Sequence, residues 1–246
     1  MKLKIDHLSV SYSGRLILED VSFAVAEGEF VSILGPSGCG KSTLLNILAG
    51  LVEPECGAVS VDDTPVHGAS DHFAYMPQED LLLPWKTILD NVCLYGALHG
   101  QKKEAMREAR PLFPVFGLDG YEDAYPDALS GGMRQRAAFL RTAMCQADIL
   151  LLDEPFGALD VITRSDMQDW LSQMRSQLGK TTLLVTHDID EAIYLSDRIL
   201  VLNGRPATIR EEITITEPAR SREWLYAQGD LRTRIHHLLR EEGTAC

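Results

Sequence analysis

Long apolar runs are missing from this sequence. The longest are strand-sized, such as residues 149–152, far short of the roughly 20 residues a helix needs to cross a bilayer, so the chain itself is not expected to span a membrane. Metal-knuckle spacing is missing as well. Cys39, Cys56, Cys93, Cys145 and Cys246 are odd in number, widely spaced and without a CxxC pair, which argues for reduced thiols and against a zinc or disulfide framework. Positive charge is scarce: 23 Lys and Arg stand against 36 Asp and Glu, a net charge of -13. Such a chain lacks the field that an extended nucleic-acid groove or an anionic lipid surface requires, and no nucleic-acid partner is expected. Residues 1–6 alternate like a strand and lack the apolar core of a secretory leader, which predicts cytoplasmic residence. Internal repeats and low-complexity tracts are absent too.

What is present suits one folded unit. With 246 residues and 45% hydrophobic side chains, the chain can bury a single α/β core with a small lobe, so residues 1–246 are read as one domain. Leu3 and Ile5 alternate in one phase and Leu8, Val10 and Tyr12 in the other, which predicts a first strand with a bulge near Asp6 and His7. A turn at Ser13-Gly14, a strand over 17–25 and a central strand over 30–34 follow. Leu44, Leu45, Ile47 and Leu48 lie at helical spacing, and Gly50 stands where a left-handed cap is expected. Short β pieces over 57–76 give way to a helical lobe of about 86–145. There Thr87 and Asp90 are spaced as a capping box before residues 92–98, a second helix covers 101–110 until Pro111 and Pro114, and a third starts near Ser130. Buried strands are expected at 149–152, 181–186 and 198–202, with a hairpin signal at Asn203-Gly204 and a terminal helix over 221–239, within an extension of about 217–246.

Chemistry enters with Gly35, Pro36, Ser37, Gly38, Cys39, Gly40, Lys41, Ser42 and Thr43. The first eight match GxxxxGK(S/T) between a predicted strand and a predicted helix. A polyphosphate has oxygens on every side, so the loop must turn its amides inward, and glycines permit the dihedrals this needs. The helix dipole favours the anion, Lys41 brings a mobile charge to the outer phosphates and Ser42 can ligate magnesium. Residues 149–152 run into Asp153 and Glu154, two carboxylates where strand ends of open parallel sheets place ligand groups. Adjacent acids with two tasks would divide as Asp153 for magnesium and Glu154 as general base for the attacking water.

The segment Leu129-Ser130-Gly131-Gly132-Met133-Arg134-Gln135-Arg136 decides among phosphate-loop proteins, because it resembles the LSGGQ signature of the ATP-binding-cassette (ABC) ATPases. Ser130 caps a helix whose exposed amides, with Gly131 and Gly132 allowing close approach, can face a γ-phosphate. Met133 replaces the usual glutamine and leaves those donors unchanged. The resemblance extends over most of residues 1–205. It implies an α/β P-loop NTPase (RecA-like) fold: a mostly parallel sheet with an antiparallel β subdomain and a helical subdomain. It also implies that Tyr12 stacks on adenine, that Gln78 senses magnesium and the attacking water, that Asp160 belongs to a loop crossing between subunits, and that His187 contacts the γ-phosphate.

Further implications concern assembly. ATP with Mg2+ would be shared by a homodimer, held between residues 35–43 of one chain and Ser130 to Gly132 of the other. The dimer would work beneath integral membrane permease subunits, peripheral on the inner face of the cell membrane, with a periplasmic or lipid-anchored substrate-binding protein in the same system. The stretch from Gln78 to Asn91 looks like importers of the nitrate, sulfonate and taurine group, which includes carriers of a thiamine pyrimidine precursor. The apolar residues within 81–85 are the expected lining of a groove for the permease. A non-transport ABC ATPase of DNA repair or translation is the alternative. It would need a long inserted coiled coil or a second cassette, and neither is present.

Overall fold

The computed structural model describes residues 1–217 and 220–240. β1 (Leu3–Tyr12) and β2 (Arg15–Val25) form an antiparallel hairpin turning at Ser13-Gly14. The register of β1 slips between Ile5 and Leu8, with His7 at φ 49°, so the change of hydrophobic phase in the sequence is a bulge. β3 (Phe30–Leu34) leads into α1 (Lys41–Leu48), and Gly50 follows at φ 72°. β4 (Cys56–Val61), β5 (Thr64–Pro65) and β6 (Phe73–Met76) are short. The lobe then holds α2 (Ile88–Val92), α3 (Leu94–Leu98), α4 (Lys102–Ala109), α5 (Leu112–Val115) and α6 (Gly131–Ala143). β7 (Ile149–Asp153), α7 (Val161–Leu178), β8 (Thr181–Thr186), α8 (Ile189–Leu195), β9 (Arg198–Gly204), β10 (Ala207–Thr214), α9 (Arg222–Tyr226) and α10 (Gly229–Arg240) complete the chain.

Among the described residues ten strands make one sheet in the order β5-β4-β1-β2-β10-β9-β3-β8-β7-β6. From β9 to β6 the pairing is parallel. The antiparallel strands join this block through β10, which pairs with β9 antiparallel and touches β2 in parallel at Ala207 and Leu18. The antiparallel subdomain is therefore continuous with the main sheet. Strands β3, β7 and β8 are apolar on both faces because each face has its own core. Phe30, Leu34, Leu150, Leu152 and Leu184 pack with the helical lobe, whereas Val31, Ile33, Leu151 and Val185 pack with α1 and the first hairpin. Trp170 of α7 meets the rings of Phe116 and Phe139 edge-on at 4.9 and 5.3 Å, fixing the lobe against the sheet's helical cover. Among the described residues no helix is long and apolar enough to cross a membrane.

Three sequence expectations need correction. The hairpin after β9 turns on Arg205-Pro206, with Asn203 and Gly204 still in the strand, paired to Thr208 and Ala207. Asn203 is drawn away from turn duty because its amide donates to the carbonyls of Leu238 and Leu239 at 2.8 and 3.1 Å. The terminal helix is two helices, broken at Ala227 and Gln228. Ser221 caps the first, and Arg232 holds the carbonyls of Leu225 and Tyr226 across the break. The helix after the Thr87 cap is also interrupted, at Cys93. The second of these helices, α10, packs on the domain, with Arg232 paired to Asp190. Of the expected extension, residues 218–219 and 241–246 lie outside the described residues, Cys246 among them.

Candidate active site

The carboxyl ends of the parallel strands bring the predicted residues together. After β3 the loop is tied to the end of β8, the Gly35 amide donating to Thr186 O at 3.4 Å, and turns on itself, the Cys39 amide donating to Pro36 O at 3.3 Å. Gly40, at φ 106°, begins α1, and a Cβ there would stand 2.8 Å from Leu18 and 2.9 Å from Ile17. A Cβ on Gly35 would stand 2.4 Å from Leu202 O, so the first loop glycine is held by close backbone approach. No side chain caps α1, which leaves first-turn amides as donors for an anion. Lys41 is only 4% exposed. Its Nζ donates to the carbonyls of Gly35 and Pro36 at 2.9 and 3.0 Å and lies 3.8 Å from Glu154 Oε1.

Asp153 ends β7 in a buried position. Ser42 Oγ donates to its Oδ1 at 3.0 Å, and Tyr75 Oη donates to its Oδ2 at 3.1 Å. Burial pushes the Asp153 carboxyl up, against the two hydroxyl bonds that favour its charge. Burial and the nearby Asp153 raise the Tyr75 phenol as well, so it stays a neutral donor. A hydroxyl and a carboxylate oxygen side by side are hard donors, and they fit a magnesium ion whose other ligands come from phosphates and water. Glu154 follows with φ 44°, a conformation that costs a non-glycine residue about 1–3 kcal/mol. Its amide donates to Val185 O at 2.9 Å, and His187 Nδ1 donates to its Oε2 at 3.0 Å. A Cβ on Gly157 would stand 3.3 Å from Gln78 Nε2 and 3.6 Å from Glu154 Oε2, so both groups border one gap. Tyr12, at the exposed end of β1, is 72% accessible.

The signature residues form a second cluster. Ser130 Oγ accepts from the Met133 amide at 3.3 Å, capping α6 as expected. Cβ atoms on Gly131 and Gly132 would stand 3.7 Å from Leu159 and 2.7 Å from Thr163, so the helix start lies beside the loop that carries Asp160. Asp160 caps α7, accepting from the Ile162 and Thr163 amides at 3.1 Å. Hydrogen bonds from Thr163 hold its carboxyl below the ordinary value. In the 81–85 segment, Leu81 and Trp85 are exposed while Leu82 is buried, so only part of it offers a surface. Arg141 donates to the carbonyls of Asp80 and Leu81 at 2.6 and 2.7 Å, and Arg134 pairs with Asp80 at 3.1 Å, tying that segment to α6.

Sequence reasoning missed Tyr75, Asp80, Arg134 and Arg141 as parts of the site. Tyr75 had a readable signal, since it sits near the carboxyl end of a parallel strand beside β7. The arginine contacts had none, because they depend on how α6 packs against a loop.

Comparison with known proteins agrees with this geometry. The family model described as ABC transporter matches residues 18–157. The formylaminopyrimidine import ATP-binding protein ThiZ of Halalkalibacterium halodurans is 48% identical over 206 residues, covering 83% of this chain and 80% of that protein. The taurine import ATP-binding protein TauB of Yersinia pestis is 41% identical over 229 residues, covering 93% and 88%. Among solved structures, the ATP-binding cassette MJ0796, in a dimeric post-hydrolysis state bound to ADP and Pi, superposes with a TM-score of 0.74 at 30% identity, covering 87% of this chain and 99% of that one. CbiO1 from Clostridium perfringens, part of the transporter complex cbiONQ, gives 0.78 at 25% identity, covering 96% and 98%. With the phosphate loop, the carboxylate pair and the signature helix all in place on this fold, the chain belongs to the ABC transporter family as its ATP-binding, ATP-hydrolysing subunit.

Proposed function

We propose that two copies close head to tail, so that each ATP lies between the 35–43 loop of one chain and Ser130, Gly131 and Gly132 of the other, and that closure and hydrolysis drive import through separate permease subunits. The observation that carries this reading is the convergence of Glu154 with His187 at 3.0 Å and with Lys41 at 3.8 Å, beside the Ser42 and Asp153 pair at 3.0 Å. Loop amides and Lys41 bind the outer phosphates, Lys41 leaving the carbonyls of Gly35 and Pro36 to do so. Ser42 and Asp153 would hold magnesium, with Gln78 at its edge, and the bound ion would neutralise charge on the phosphate oxygens. Glu154 accepts a proton from the attacking water, and His187 orients Glu154 while facing the γ-phosphate. Tyr12 stacks on adenine, and Asp160 positions the loop that meets the partner.

Closing depends on contacts that each protomer makes to the γ-phosphate, and hydrolysis removes them, so the nucleotide shifts the balance between two arrangements. Exposed Leu81 and Trp85 would meet a permease helix at the inner face of the membrane, and a substrate-binding protein outside would deliver the cargo. That cargo would be a small organic or inorganic anion or a thiamine precursor, and the relatives named for formylaminopyrimidine and taurine import support the organic choices. Glu154→Gln is expected to lower ATP turnover by about 10²- to 10⁴-fold while ATP-dependent dimers accumulate in sedimentation. Wild-type turnover in that variant would remove Glu154 from the chemistry.

A further inference from the structure

Behind His187 stands a carboxyl that the hydrolytic scheme does not use. Glu191, in the first turn of α8, is 4% exposed. Its Oε2 accepts from Thr186 Oγ at 2.8 Å, and the same hydroxyl accepts from the Asp188 amide at 3.0 Å. The residues on either side of His187 are thereby pinned to one buried group. Asp188 also caps α8, accepting from the Asp190 and Glu191 amides at 2.9 and 3.1 Å. Among the described residues, Glu191 Oε1 is buried without a hydrogen-bond partner, and so is Nε of Arg164 in α7. Arg164 donates to Leu159 O at 3.0 Å, lies 3.8 Å from Asp188 Oδ2, and its charge acts on Glu191.

An acceptor and a donor without protein partners in one network each call for an explanation, because leaving such a group buried and unpaired is costly. Burial pushes the Glu191 carboxyl up to about 8. The charges of Asp188 beside it and Glu154 from the end of β7 act in the same direction, while the Thr186 hydroxyl and Arg164 from α7 oppose them. A neutral acid suits the spot, because it leaves no repulsion towards Glu154 or Asp188.

We infer that Glu191 is a positioning residue for hydrolysis: through Thr186 it fixes the turn that carries His187, and Arg164, which pairs with Asp188 of that turn and donates to Leu159 O, ties the turn to the loop of Leu159 and Asp160. A displacement of that loop would thereby reach His187 along side chains that touch or act on one another. The inference rests on the proposed role of His187. Its test is the ATPase kinetics of the full chain carrying Glu191→Ala or Glu191→Gln, each also in a His187→Ala background.

Glu191→Ala is expected to lower kcat about tenfold with KM for ATP within about twofold. Glu191→Gln keeps an acceptor for Thr186 without a charge and should stay within about twofold of wild type. Neither should add a loss to the residual turnover of His187→Ala. Arg164→Met, at a partly exposed residue, should lower kcat about threefold with the same lack of additivity, and it carries the test if Glu191→Ala does not fold. Wild-type kcat in Glu191→Ala or, where that variant does not fold, in Arg164→Met, or the same losses on top of His187→Ala, would overturn the inference. So would equal losses from Glu191→Gln and Glu191→Ala. Wild-type turnover in His187→Ala alone would overturn the proposed role of His187 and this inference with it, a result distinct from the others.

Discussion

The phosphate loop and the signature helix start from the same device, backbone amides at the head of a helix, and finish it in opposite ways. At α1 the residue before the helix is Gly40, which offers no side-chain cap, and the surrounding groups are buried: Lys41, Asp153 and the strand ends of β3 and β7. At α6 the residue before the helix is Ser130, which caps it, and Ser130 and Gly131 are exposed. An uncapped helix start enclosed by charge is suited to take an anion from within its own chain. A capped start at the surface is stable alone and offers Ser130 and Gly131 for approach from outside, while Gly132 is buried against Thr163. The contrast is what the proposed division of the site between two protomers requires.

Breaking one half at a time tests that division, and the enclosed half should give the largest effect. Lys41→Ala is expected to reduce ATPase activity by about 10²- to 10³-fold, as the loss of a preorganised charge-stabilising group does. Ser130→Arg should lower activity from the other side by a smaller factor, about 10- to 10²-fold, by placing bulk at the helix start. Mixing the two variants in equal amounts gives mixed dimers with one site intact and one doubly damaged. If the sites act independently, turnover should recover to about a quarter of wild type, since half the pairs are mixed and each keeps one of two sites. A mixture no more active than its components would exclude shared sites that act independently.

A smaller effect sharpens the same comparison through stability. Ser130→Ala removes the acceptor of the Met133 amide and should cost about 1 kcal/mol, a fall in Tm of about 2–4 °C for a chain of this size. Because Gly40 has no side-chain cap to lose, α1 has no counterpart to this variant. An unchanged Tm for Ser130→Ala in a thermal melt would mean that the cap contributes nothing to holding α6.

Local pattern explains why so much was legible in the sequence. The bulge at His7, the left-handed Gly50, the caps at Thr87 and Ser130 and the strand-loop-helix around Lys41 all depend on residues a few positions apart, and each stands where the pattern puts it. Parallel strands with acids or histidine at their carboxyl ends predict the gathering of Asp153, Glu154 and His187, because sheet geometry puts those ends on one edge. Illegible features were those decided by distant partners. Asn203-Gly204 has the strongest turn chemistry in the chain, yet Asn203 is held by the end of α10 and the turn moves to Arg205 and Pro206. The break between α9 and α10 is secured by Arg232, whose partners include Asp190 in α8. Glu191 reads in sequence as an ordinary first-turn acid. Only the packing of β8, α7 and α8 makes it a buried one.

That buried acid gives the most specific expectation, a change of slope with pH. The folded-state value of Glu191, about 8, lies above the roughly 4.3 of an unfolded glutamate. The native state therefore binds the proton more tightly, and the stabilisation is full below about pH 4. It is lost progressively as pH rises, and has gone once pH passes the folded value near 8. Glu191→Gln carries no titrating group and loses nothing over that window. Thermal melts at pH 5, 6.5 and 8 should show the wild-type Tm falling faster than that of Glu191→Gln, with the difference moving in favour of the variant at each step. Groups common to both proteins cancel in that difference, so parallel curves would mean that Glu191 is already charged in the folded state. The enclosed half of the site would then contain, behind His187, a carboxylate repelling Glu154 and Asp188, and not a neutral prop.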